Sequence, residues 1–281
     1  MAEILIGTCG YSYKEWVGPF YPEGTKADDY LRYYAGQFQI VEIDYTYYRM
    51  PAADNLRRMM EAAGPSLTFA IKATDTLTHK IDPNKWRDEA KTYLTAIEPM
   101  LQDGRLEAVL FQFPYSFHYN DNNRKHLDSL LKGFAGIPSV VEFRNTDWNN
   151  NRVFEGLKNR GIAYASLDLP DLKGLPPVLD VPTSTFAYFR LHGRNADAWW
   201  KSPDSRERYD YLYSDAELEG AVERIKHILS KVDRLLIFFN NHVFGKAIRN
   251  AITLKKILEK AGLPIAKETQ NGEFTTVDSP S

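Results

Sequence analysis

SVVEFRN (Ser139–Asn145) and TFAYFRLHG (Thr185–Gly193) start as apolar, β-branched or aromatic runs and finish on ionisable groups, Glu142 and Arg144 in one, Arg190 and His192 in the other. Each suits a strand whose C-terminal end turns polar. Six further runs have the same character: ILIGTCG from Ile4, IVEIDYTYY from Ile40, TFAIKA from Thr68, LEAVLFQFP from Leu106, AYASLDL from Ala163 and RLLIFFNN from Arg234. Between them lie segments of helical periodicity: Ala53–Ala63, Pro83–Leu101, Asn123–Leu131, Asn151–Asn159, Asp215–Leu229 and Lys246–Lys260. Strands alternating with helices in this way predict an α/β protein, a single (β/α)8 TIM-type barrel. An open doubly wound sheet shares the alternation, but neither GxGxxG nor GxxxxGK[ST] occurs in the chain. LPDLKGLPPVLDVPTS (Leu169–Ser184) breaks the rhythm with four prolines, so an irregular connection is expected after the sixth strand. The barrel is expected to span residues 1–266, followed by a polar tail, 267–281.

At 281 residues and 43% hydrophobic, the chain can bury a large core without dividing in two. Mean hydropathy is −0.43 and no apolar run approaches a membrane span, so no membrane partner is expected. The start MAEILIGTCG lacks the basic and apolar regions of a secretory signal, and Cys9 is the only cysteine; both fit a cytoplasmic protein. A multi-cysteine zinc site is excluded. A net charge of −2 gives no global footprint for nucleic acid, which remains a partner unsupported by charge.

In a barrel the C-terminal strand ends build the active site. Here they carry Glu42, Asp44 and Thr46 at a spacing of two, with Arg49 following; then Lys72, Gln112, Glu142, Arg144, Asp168, Arg190, His192, Asn240 and Asn241. Barrel interiors also hold opposed charges that neutralise one another without chemistry, and Glu142 with Arg190 fits that description. A lone Gln112 or Asn240 is more often a satisfied hydrogen-bonding group than a catalyst. The convergence of acids, bases and a histidine at one mouth calls for a polar ligand.

GTCGYSYKEW, VEIDYTYYRMP, FAIKA, LFQFP, VVEFRNTDW, YFRLHGR and FFNNHVFGKAIRNA, in that order from Ile6 to Ala251, resemble the successive signatures of the YecE-like family, the domain of unknown function 72. The resemblance implies a TIM-type barrel and brings no reaction with it. Cys9 stands where that family commonly has Ser, Asp44-Tyr45 where it has Asn-Ser, and His242 where it has Asp. A structural role is therefore expected for Cys9.

Three readings compete. An enzyme, hydrolase, lyase or isomerase, would hold a small phosphate- or carboxylate-bearing molecule on Lys72, Arg144 and Arg190, helped by Gln112, Asp44, Tyr47, Arg49, Asn240 and Asn241. Glu142 or Asp168 would be its base and His192 its acid, with no cofactor. A divalent-metal isomerase or endonuclease-like enzyme would use Glu42, Glu142, Asp168 and His192 as ligands, against the repulsion of the neighbouring cations. A non-catalytic binding protein would present Tyr45, Tyr47, Tyr48, Trp148, Trp199 and Trp200 to a ligand or to exposed nucleotides, with Trp199-Trp200 as a lid.

Overall fold

The computed structural model describes residues 2–202 and 204–266; the expected tail lies outside them. Nine strands are present among the described residues: β1 (Glu3–Thr8), β2 (Ile40–Ile43), β3 (Thr68–Lys72), β4 (Leu106–Phe113), β5 (Ser139–Phe143), β6 (Ala163–Tyr164), β7 (Ser166–Asp168), β8 (Phe186–Leu191) and β9 (Arg234–Phe239). They form two sheets, β2-β3-β4-β5-β6 and β1-β9-β8-β7, parallel throughout. β6 and β7 are the two halves of the sixth expected strand, interrupted at Ala165, whose amide still donates to Val141 at 3.0 Å.

Helices Ala53–Ala63, Trp86–Gln102, Asp121–Gly133, Asn151–Lys158, Asp215–Leu229 and Lys246–Lys260 follow the expected segments. The helix Asp215–Leu229 starts on a capping box, Ser214 with Glu217, which satisfies two amides that a helix start leaves unpaired. A further short helix, Tyr30–Ala35, had no clear sequence signal because YLRYYA spans less than two turns. Leu169–Ser184 contains neither helix nor strand, as its prolines predict.

Side chains divide by strand parity. Ile4, Ile6, Val41, Ile43, Phe69, Ile71, Val141, Phe143, Phe189 and Leu191 pack outward with the helices. Leu5, Cys9, Ile40, Ala70, Leu110, Val140, Leu167, Tyr188, Leu236 and Phe238 form a separate inner cluster. Because successive strand side chains alternate, the inward columns run on from Ile40 to Glu42, from Ala70 to Lys72, from Leu110 to Gln112, from Val140 through Glu142 to Arg144, from Tyr188 through Arg190 to His192, and from Phe238 to Asn240.

The edges of the two sheets meet between β1 and β2. A parallel bridge pairs Cys9 with Glu42, and the Gly10 amide donates to the Glu42 carbonyl at 2.7 Å. Lower down, the Tyr34 hydroxyl accepts from the Thr8 amide at 2.9 Å and donates to the Ile40 carbonyl at 3.1 Å. Gly7 allows this approach, since a Cβ there would lie 2.1 Å from the Ile40 carbonyl oxygen.

Candidate active site at the C-terminal strand ends

Arg190 is the centre of the inward columns. Its side chain, 2% exposed, donates from Nη1 to Glu142 Oε2 at 2.7 Å and from Nη2 to Glu42 Oε1 at 2.5 Å, and Nη2 lies 3.3 Å from Cys9 Sγ. Tyr188 donates to the other oxygen of Glu42. A guanidinium between two carboxylates, all out of water, is stable only because each charge has a partner at hydrogen-bond distance. Burial opposes ionisation of both glutamates, but Arg190 for Glu42, and Arg144 with Arg190 for Glu142, outweigh it and hold both below the usual carboxylate range. The anticipated pair of Glu142 with Arg190 exists and extends to Glu42.

One layer nearer the mouth, Arg144 Nε donates to Glu142 Oε1 at 2.5 Å, and its Nη2 lies 3.2 Å and 3.4 Å from the two nitrogens of His192. Asn240 Nδ2 is 2.9 Å from His192 Nδ1, and Glu142 Oε1 is 3.4 Å from Nε2. Both ring nitrogens thus lie within reach of a donor, Nδ1 of Asn240 and Nε2 of Arg144, with Glu142 beside Nε2. Burial, and then Arg144, push the imidazole down to about 3. His192 is therefore neutral near pH 7, which corrects its expected role as the acid.

Asp44 stands beside Glu42, a carboxylate oxygen of each lying within 4.8 Å of the other. Burial and the Glu42 charge raise Asp44 to about 8, against the pull of Lys72 and Arg190. Its Oδ1 is buried with no hydrogen-bond partner among the described residues. Lys72 places Nζ 4.3 Å from the centre of the Tyr47 ring, and Gln112 donates to the Phe113 carbonyl at 3.0 Å. His79, beside Tyr47 and lowered to about 4 by burial and Lys72, belongs to this group and carried no strand-end signal, since it ends a short helix, Asp75–Thr78.

Several expectations fail on parity. Leu167 points inward, so Asp168 points outward: Arg194 grips both its oxygens at 2.8 Å, Tyr213 donates at 2.8 Å and Arg224 Nη1 approaches to 3.3 Å. Asp168 is thus neither base nor metal ligand beside Glu142. Asn241 also points outward and donates to the Tyr211 carbonyl and to Asn250, each at 2.8 Å. β2 stops at Ile43, so Thr46 and Tyr47 sit on a helical turn, Tyr45–Tyr48, and Arg49 is exposed outside the buried group. Trp148 is buried against Phe143, 4.4 Å and 2° from parallel, and supports β5 instead of lining the mouth.

Trp199, on the helix Ala196–Lys201, joins the inner cluster at 3% exposure, with the Arg144 guanidinium carbon 5.6 Å from its ring. Cys9, Glu42 and Asp44 offer donor atoms within 4.8 Å of one another, a set that could hold a metal ion. Burial holds the Cys9 thiol protonated, and Arg190 already supplies the positive charge at its sulfur. Among the described residues no helix is long and apolar enough to cross a membrane.

The sequence profile described as "Protein of unknown function DUF72" matches residues 5–273. The chain belongs to this family. Among its relatives, the UPF0759 protein YunF of Bacillus subtilis (strain 168) is 27% identical over 271 residues, 91% of this chain and 95% of that protein. A crystal structure of a DUF72 family protein (TM1631) from Thermotoga maritima MSB8 is 35% identical, superimposes with a TM-score of 0.83 and covers 92% of this chain and 99% of that one. SacUVDE, at 9% identity and a TM-score of 0.53 over 93% of this chain and 99% of its own, shares the fold alone. The DUF72 chain described here is thus an α/β protein of TIM-barrel-like architecture.

Proposed function

We propose that the two parallel sheets close through the Cys9–Glu42 bridge and the β6–β7 junction into one eight-stranded ring, and that its mouth is an acid–base active site for a small anionic molecule. Asp44 is its proton carrier, and Lys72 and Arg144 hold the anion. The observation that carries this reading is the Asp44 carboxyl: its Oδ1 is buried and unpartnered among the described residues, within 4.8 Å of the Glu42 and Cys9 donor atoms and in the field of Lys72. A carboxyl near 8 exists in both protonation states around neutrality, which a general acid or base needs. Glu142 cannot share that task, because Arg144 and Arg190 keep it ionised. Together with Arg190 it fixes the position of Arg144. Trp199 must lift for a ligand to reach Arg144, and its return would exclude water.

Calorimetric titration with inorganic phosphate and simple carboxylates across about pH 6 to 9 tests this. Binding should be strongest where Asp44 is protonated and weaken as it ionises near 8. Lys72→Met should weaken it about tenfold or more, and Asp44→Asn should remove its dependence on pH in this range. Binding indifferent to Lys72→Met, or no binding by the parent, would refute the anion site.

A further inference from the structure

Tyr48 leaves 82% of its surface in water, unusual for a large ring. Its surroundings are nonetheless those of the site. It meets Tyr47 edge to face at 4.8 Å; Tyr47 carries the Lys72 ammonium at 4.3 Å and stands 4.9 Å from the His79 ring. Tyr48 ends the helical turn Tyr45–Tyr48 that starts directly after Asp44, and the charge of Asp44 acts on its hydroxyl. Other exposed rings share the same end of the strands: Tyr45 after β2, Tyr115 after β4, Trp200 after β8 and Phe244 after β9. Tyr115 and Trp200 meet at 5.3 Å. Exposed aromatic faces beside the Lys72 ammonium suit a ligand with both a planar ring and an anionic group, because stacking rewards any flat π-system and the ammonium rewards charge.

We infer that the molecule bound here is a nucleotide whose base stacks on Tyr48 while its phosphate meets Lys72. This rests on the anion-binding reading above and adds to it a ring-binding subsite at Tyr48. A long nucleic acid fits less well, since the chain carries 35 basic against 37 acidic residues.

The test is calorimetric titration of the full chain with the nucleoside 5′-monophosphates, ribose 5-phosphate and inorganic phosphate. At least one nucleotide should bind about tenfold or more tighter than ribose 5-phosphate. Tyr48→Ala should erase that advantage and Tyr48→Phe should keep it, while neither changes phosphate binding. Because Tyr48 is so exposed, both variants should fold, which circular dichroism checks. Ribose 5-phosphate binding as tightly as every nucleotide, or an advantage that survives Tyr48→Ala, overturns the nucleotide subsite and leaves the anion site standing. Failure of all three ligands, phosphate included, overturns both.

Discussion

Replacing Arg190 with Met keeps much of the side-chain volume and removes the only cation among the described residues that is bonded to both Glu42 and Glu142. Glu142 retains Arg144 at 2.5 Å. Glu42 retains the Tyr188 hydroxyl, with Cys9 and Asp44 beside it, and none of these is a cation, so one buried negative charge loses its counter-ion. Removing one partner of a buried pair costs about 3–5 kcal/mol. At about 2–4 °C per kcal/mol for a chain near this size, the midpoint of thermal unfolding should fall by roughly 6–20 °C. The loss should also depend on pH. Without Arg190 the Glu42 carboxyl would rise above its unfolded value, so the native state would bind a proton that the unfolded state does not. Stability then increases as pH falls, and the deficit relative to the parent should be smaller at about pH 5 than at about pH 8. Urea unfolding followed by far-ultraviolet circular dichroism at both pH values reads this directly. Adding Glu42→Gln should recover much of the loss. A deficit below about 1 kcal/mol, or one equal at both pH values, would refute the account of Arg190 as the neutralising centre.

Two further outcomes follow from the same charges. Asp44 is raised in the folded protein, so its contribution to stability is complete below its unfolded value and is lost as pH rises through about 8; Asp44→Asn should remove that part of the slope and gain on the parent in urea midpoints at alkaline pH, and an unchanged slope would show that Asp44 does not titrate there. Asp168→Asn should cost about 3 kcal/mol in urea unfolding through the lost grip on Arg194 and Arg224 while phosphate binding stays unchanged, whereas a large loss of binding would return Asp168 to the site.

The strands and the irregular Leu169–Ser184 connection were legible because apolar runs and proline act locally. So was the inner set Lys72, Glu142, Arg144, Arg190 and His192, whose positions follow from the inward columns at Ala70, Val140 and Tyr188. Asp168 and Asn241 misled because a strand end offers two faces, and only the neighbouring residues, Leu167 and Asn240, reveal which one points inward. Reading parity from Leu167 would have moved Asp168 outside. The roles of Asp44 and His192 were not legible, since each depends on which charge lies nearest once the strands converge: Glu42 beneath Asp44, Arg144 beside His192. His79 was missed because its place is fixed by a helical turn, not by a strand.

The contact between β1 and β2 rests on the short Cys9–Glu42 bridge and, below it, on one phenol standing in for ladder bonds. A rung made by a side chain can let go without any strand unfolding, so this seam is where the two sheets would first part. Amides near Thr8 and Gly10 should then exchange with solvent ahead of those in β4 and β5, and the same opening would admit water directly beneath Asp44. Proton exchange at the buried carboxyl pair would in that case be timed by the breathing of a joint, with Tyr34 as its pin.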